Sequence, residues 1–516
     1  MVMNELRRLP VLVVLCLLGA CGGGGDGGSM APPAAPVRGT LLTTPPTKLA
    51  TLEPEALLTV LGGSDIGKLF LQLAFTPRCS INVHQIEYQT VDPAGALTPA
   101  SGALMVPSGS DAACTGARPV LLYAHGTTTD KAYNIADIAT GNNAEGALLA
   151  AVFASSGYIV VAPNYVGYDT STLGYHPYLV ADQQSKDMID ALAAARSALP
   201  VSSAPSTSDG GKLFVTGYSQ GGYVAMATHR ALQQAGATVT ASAPMSGPYA
   251  LSAFGDAIFE GQVSASAAVN LVLLLNSYQH AYSNVYSQPT DVFESAYAAG
   301  IVDLLPSATA AGDLQSQGKL PAAVFSPTPP DPSFAAFTPA TSPPDLAPVF
   351  AQGFAADHLI ANAYRLQYLQ DAKAKPDGGF PTITDGLPPS APANALRQDL
   401  KTNDLRDWTP TAPVMLCGGK LDPTVFFFNT QLMQNYWTAN PPPVAPVVLD
   451  VDSAAGAADP YADLKAGFTA AKDALRVQAV VGGASDGGDQ AVLDAYHAGL
   501  VPPFCLSAVK SFFESK

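Results

Sequence analysis

Charge is what this sequence has least of. Only 13% of its 516 residues are charged, against about 25% in a typical chain. Basic residues are the scarcer kind: 25 Lys and Arg face 41 Asp and Glu, for a net charge of −16. Nucleic acid and anionic lipid both attract basic surfaces, so neither is expected as a partner. Long apolar runs are missing as well. Beyond the first 20 residues no stretch approaches the roughly 20 apolar residues of a spanning helix; residues 269–275 are apolar only locally. No internal repeat is present. Gly (46) and Pro (44) are too few for a collagen-like or disordered chain and enough for long loops. None of the six Cys stands in C-x-x-C spacing, so the usual zinc signature is absent. The chain is nonetheless 48% hydrophobic, which permits a large core.

What is present begins at the amino terminus. Arg7 and Arg8 precede a ten-residue apolar run, residues 9–18 (LPVLVVLCLL), too short to span a membrane and of the length of a signal-peptide core. It ends in Leu18-Gly19-Ala20-Cys21, which resembles a bacterial lipobox; the resemblance implies cleavage before Cys21 and a lipid on its thiol. Residues 22–29 are glycine-rich. The expected plan is a signal peptide over 1–20, a flexible tether over 21–50, a main domain over 51–250 and 405–516, and an insertion over 251–404. Localisation in the bacterial cell envelope follows, as an outer-membrane lipoprotein or a secreted protein. Membrane contact is expected only through the lipid, and the protein is expected to be a monomer. Setting Cys16 and Cys21 aside leaves four Cys, which allow three pairings. Cys79–Cys114 and Cys417–Cys505 are expected. The first pair brackets two strands, and each member of the second lies close to a candidate catalytic residue.

Strand and helix patterns alternate. Residues 82–92, 102–107, 119–124, 158–162, 212–216, 239–243, 413–417 and 446–451 read as strands, several of them continuous apolar runs typical of a sheet covered on both faces. Residues 144–156, 182–199, 220 onward and 504–514 read as helices. This rhythm argues for an α/β fold with a mostly parallel sheet, opened by an antiparallel hairpin. Between residues 250 and 408 it breaks. Residues 263–283 and 355–373 read as helices, while 327–347 and 376–392 are Pro-rich loops.

One motif carries chemistry. Gly217-Tyr218-Ser219-Gln220-Gly221 lies between the strand KLFVT and a small-residue helix, the strand–turn–helix setting of a nucleophile elbow. Gly217 and Gly221 leave room where a Cβ would clash. A serine needs a base. In the elbow order of Ser, acid, His, the base is His497, which follows the last strand in a loop-like context. The acid is Asp422, after the strand PVMLC and a Gly-rich turn; Asp450 and Asp452 are the alternatives, and helix capping is a competing job for Asp422. Backbone N–H groups of Gln220 and Thr127 would form the oxyanion hole, with Gly126 permitting the loop turn. His125 reads as a structural loop histidine. Asp486-Gly487-Gly488-Asp489 lacks EF-hand spacing, so no metal is expected, and no cofactor.

At this point a resemblance is visible. The segments 123–127 (YAHGT), 157–167 (GYIVVAPNYVG), 217–222 (GYSQGG) and 403–425 resemble bacterial α/β-hydrolases of the secretory-lipase type, over about residues 60–250 and 403–516. The chain departs from that pattern at Asn164, where Asp is frequent, and at Gly418-Gly419, where His-Gly is frequent. The resemblance implies hydrolysis of carboxylic esters, often acylglycerols, of small-molecule or lipid substrates, with the insertion as a cap. Residues 269–275 with Phe334, Phe337, Phe350 and Phe354 are expected to form the lid and acyl pocket. A peptidase or amidase of related fold, and an aromatic-ester or polyester hydrolase, are the alternative readings.

Overall fold

The computed structural model describes residues 37–63, 65–72, 76–138, 143–378 and 386–516. The signal peptide, Cys21 and the glycine-rich stretch lie outside the described residues. Nine strands form one sheet: β1 (Thr47–Leu52), β2 (Ser80–Val91), β3 (Leu97–Ser108), β4 (Gly116–Ala124), β5 (Ile159–Pro163), β6 (Thr207–Tyr218), β7 (Ala241–Met245), β8 (Met415–Gly418) and β9 (Val447–Asp450). Their order is β1-β2-β3-β5-β4-β6-β7-β8-β9. The first four in that order pair antiparallel, and every later pair is parallel.

Period-two alternation explains why the parallel strands look uniformly apolar. Leu121, Val160 and Phe214 face one core, against helices Ala144–Val152 and Val501–Glu514. Their neighbours Leu122, Val161 and Val215 face the other, against helices Ala181–Ala198 and Gln220–Gln234. Both faces are covered, so no position along these strands needs to be polar.

Residues 251–404 add helices Leu251–Phe259, Ala267–Tyr282, Asn362–Ala374 and Ala395–Thr402 to the second of these cores, which runs without interruption into the segment through Leu271–Leu275, Phe325 and Tyr368. The described residues 37–516 form one compact unit. The disulfides are Cys79–Cys114 and Cys417–Cys505. They close stretches of 35 and 88 residues, each worth about 4 kcal/mol by chain entropy.

Three expectations are corrected. The tether does not reach residue 50: Gly39 and Leu42 donate N–H bonds to the carbonyls of Gln89 and Glu87, and β1 pairs with β2. This edge strand is held by backbone bonds while most of its side chains are exposed, so it leaves no apolar alternation to read. The second insertion helix begins at Asn362, not 355. Residues 354–360 form a bent, non-helical stretch with isolated bridges Phe325–Phe354, Ala323–His358 and Phe293–Ile360. His497 is not in a loop but in a wide helical turn, Tyr496–Leu500, that runs into the closing helix.

Candidate active site

β6 ends at Tyr218 and the helix starts at Gln220, so Ser219 makes the whole turn. Its backbone stands at φ 60°, ψ −123°, an unfavourable region for a residue with a Cβ. The turn is held by the Ser219 N–H, which donates to Met245 O at 3.0 Å. A Cβ on Gly217 or Gly221 would collide with the Ala124 carbonyl of the neighbouring strand, which is why the motif needs glycine at both.

The two other predicted residues meet Ser219 from distant parts of the chain. His497 Nε2 lies 2.8 Å from Ser219 Oγ, and His497 Nδ1 lies 2.7 Å from Asp422 Oδ2. Asp422 is 1% exposed. Its other oxygen, Oδ1, accepts the N–H groups of Thr424 (2.9 Å) and Val425 (3.0 Å). The capping job and the imidazole contact therefore coexist, one oxygen each. A proton on Nδ1, donated to Asp422, leaves Nε2 to accept from the serine hydroxyl. The alternative acids are engaged elsewhere. Asp450 accepts from the backbone of Lys420 and Asp452. Asp452 accepts from the Tyr496 hydroxyl at 2.8 Å and pairs with Lys472.

Gln220 opens the elbow helix, so its N–H has no intrahelical acceptor. Its side chain points to His176, with Nε2 to Nε2 at 2.7 Å. Thr127 lines the same cavity as Ser219 and Gln220, with its hydroxyl 2.9 Å from that of Tyr178. Gly126 precedes it, and its N–H donates to Glu145 Oε1 at 3.1 Å. Glu145 also accepts from Tyr123 at 2.7 Å, and burial raises its pKa. Sequence reading missed Glu145, because a carboxylate at a helix start carries no signal of what it will touch.

The other histidines are structural or peripheral. His125 stacks on Tyr165 at 4.1 Å and contacts the Gly126 and Asn164 carbonyls, and burial lowers its pKa to about 4. His229 contacts Ser242 Oγ at 2.7 Å and is lowered to about 4 for the same reason. Asn164 accepts from Ile135 N–H (2.8 Å) and donates to Ser101 Oγ (2.9 Å), so the amide uses both ends. Asp486 caps the helix Asp489–Ala495 through Gly488 N–H and Gln490 N–H, and Asp489 pairs with Arg476. Among the described residues no group of three His, Cys, Asp or Glu could hold a metal ion.

The site opens into a cavity of about 810 Å³. Ser219, Gln220 and His497 stand at one part of its wall, and Leu251, Phe254, Ile258, Leu271, Leu274 and Leu400 from the 251–404 segment supply much of the apolar remainder. Leu271 and Leu274 come from the apolar run seen in sequence. The four phenylalanines expected beside them do not line the cavity. Phe350 packs on Phe426, Phe354 on Phe325 and Phe334 near Phe337. Phe254 and Phe259 take their place, because helix Leu251–Phe259 follows directly after β7 at the sheet end where Ser219 sits.

Comparison with known proteins bears on the fold and the type of enzyme. The model of the prolyl oligopeptidase family matches residues 147–288, a stretch that holds the elbow but neither Asp422 nor His497. No curated protein matches. The solved structure of the rice cell wall degrading esterase LipA from Xanthomonas oryzae is 27% identical, covering 84% of this chain and 95% of that one, with a TM-score of 0.62. A ligand-bound form of the same esterase is 25% identical over 90% of this chain and 99% of that one, with a TM-score of 0.62. A Legionella pneumophila protein at 19% identity, covering 91% of this chain and 96% of that one with a TM-score of 0.59, shares the fold. The chain has the α/β-hydrolase fold and is a serine hydrolase of that type.

Proposed function

We propose that the protein hydrolyses carboxylic esters through a covalent acyl-enzyme on Ser219. The observation that carries this reading is the Ser219–His497–Asp422 chain, at 2.8 and 2.7 Å, on a strained elbow facing a largely apolar cavity. Ser219 Oγ attacks the ester carbonyl carbon as His497 Nε2 takes its proton. The oxyanion is stabilised by the N–H groups of Gln220 and Thr127. The C–O bond to the alcohol then breaks, and His497 returns the proton to the leaving alkoxide. Water, deprotonated by His497, attacks the acyl carbon and frees Ser219. Asp422 holds the imidazole tautomer and stabilises the imidazolium. The acyl group lies among Leu251, Ile258, Leu271 and Leu274, with residues 251–404 as the cap.

Ser219→Ala is expected to lower p-nitrophenyl ester turnover by at least about 10³-fold with an unchanged circular dichroism spectrum. A fluorophosphonate should label the parent chain and not the variant. Unchanged turnover in the variant overturns the proposal.

A peptidase reading draws on the prolyl oligopeptidase match. The esterase likeness covers far more of the chain and favours esters. Matched ester and aminoacyl-anilide substrates decide between them, with a preference for the anilide assigning the peptidase. The oxidised Cys pairs support a place outside the cytoplasm. Anchoring through Cys21, which lies outside the described residues, is tested by labelling with a radioactive fatty acid, which Cys21→Ala should abolish.

A further inference from the structure

The segment that carries His497 cannot satisfy its own backbone. The turn Tyr496–Leu500 is wound wide, and the Val501 N–H closes back on Tyr496 O. In that register the donor to the next carbonyl, that of His497, would be residue 502. Residues 502 and 503 are prolines, which have no N–H. The His497 carbonyl accepts instead from the Tyr218 hydroxyl, at 2.6 Å. Tyr218 is the last residue of β6 and the one before Ser219, and it is 7% exposed. Its ring centroid lies 5.1 Å from the imidazole of His497. A single phenol thus ties the strand that delivers the nucleophile to the main chain of the base.

The opposite flank is tied to the acid. The Tyr496 hydroxyl accepts from the Leu421 N–H at 3.2 Å and donates to Asp452 Oδ2 at 2.8 Å. Leu421 adjoins Asp422. The main chain on either side of His497 is therefore fixed by a tyrosine, one bonded to the elbow and one to the acid's loop. Such fixing matters because the two contacts of the imidazole are single hydrogen bonds. A base displaced by about 1 Å costs on the order of 10²-fold in rate.

We infer that Tyr218 is a positioning residue for the hydrolysis, holding His497 in line with Ser219 through the carbonyl that the prolines leave without a helical donor. The inference rests on the Ser219–His497–Asp422 reading. Tyr218 acts through His497 and does not touch the reacting atoms, so its removal should lower kcat and spare substrate binding.

Tyr218→Phe keeps the ring and deletes the O–H. The expected result is a kcat lowered about tenfold with KM within about twofold, the size of one lost hydrogen bond expressed in the transition state alone. Pro502→Ala supplies the cycle partner by restoring a main-chain N–H one wide turn from His497. In the Pro502→Ala background the Tyr218→Phe effect on kcat should shrink to about threefold or less, since the carbonyl regains a donor. A parent-like kcat in Tyr218→Phe overturns the inference. So does a loss that resides in KM, or one of equal size in both backgrounds, since a packing role would give these. Ser219→Ala run alongside separates the two levels. An inactive Ser219→Ala with an unimpaired Tyr218→Phe sinks the positioning role alone, whereas an active Ser219→Ala removes the reading beneath it.

Discussion

The central sheet and the 251–404 insertion bury their interiors by different means. Residues 120–124, 159–162 and 213–218 of the sheet carry no charge and are buried along their whole length. The insertion is organised around guanidinium groups. Arg397 donates to Asp256 at 2.7 and 2.8 Å and to Asp371 at 2.8 Å while 1% exposed. Arg365 donates to the carbonyls of Phe259 and Phe337, and its guanidinium carbon lies 4.4 Å from the Phe325 ring centroid. Just past the insertion, Arg406 is held by Asp377 and Asp404. Among the described residues three arginines are thus fully buried, all in or beside one segment. The sheet spreads its stability over many interchangeable apolar side chains. The insertion adds to its apolar core a few ionic joints built on buried arginines.

The largest effect expected from this contrast is at Arg397. Arg397→Met leaves Asp256 and Asp371 without a cation, and removing one partner of such a buried pair costs about 3–5 kcal/mol. Arg397→Lys should also be severely destabilising, because an ammonium cannot reproduce the forked contact with Asp256. Denaturant unfolding measures both, and limited proteolysis of either variant should cut first within residues 251–404. In the sheet the response should be graded: about 2–5 kcal/mol for Leu122→Ala and about 1 kcal/mol for Ile159→Val. If Arg397→Lys proves as mild as Ile159→Val, the two regions do not differ in kind.

The same contrast explains what the sequence let a reader see. The covered strands announce themselves as apolar runs, and the elbow does so through Gly217, Ser219 and Gly221 between a strand and a helix. His497 and Asp422 could be placed because each follows a recognisable strand in an order the elbow imposes. Tyr218 and Glu145 could not. Their roles depend on which groups the fold brings to them from 279 and 19 positions away. β1 was illegible because its exposed side chains do not alternate. In the insertion, partners such as Arg397 and Asp256 stand 141 residues apart with no spacing rule to join them, and a phenylalanine in a Pro-rich stretch gives no sign of which wall it will join.

Glu260 offers the sharpest test, because among the described residues it is the buried insertion carboxyl with its pKa raised furthest into the alkaline range. It is 4% exposed and directly follows the helix Leu251–Phe259. Burial first, and then the nearby Asp256, raise its pKa from 4.5 to about 9, against the opposing pull of Arg397. The carbonyl end of the helix also disfavours an anion there. In the unfolded chain this carboxyl ionises near 4.5, so between about pH 4.5 and 9 the folded protein holds one more proton than the unfolded one. Stability then falls as pH rises through that window, being fully present below it. Glu260→Gln keeps the shape and cannot ionise. Its melting temperature should match the parent at pH 4.5 and exceed it at pH 8, with the gap widening as the pH rises through that window. Parallel curves for the two proteins across pH 4.5–9 would mean that Glu260 is ionised in the fold. The guanidinium of Arg397 would then serve three carboxylates rather than two.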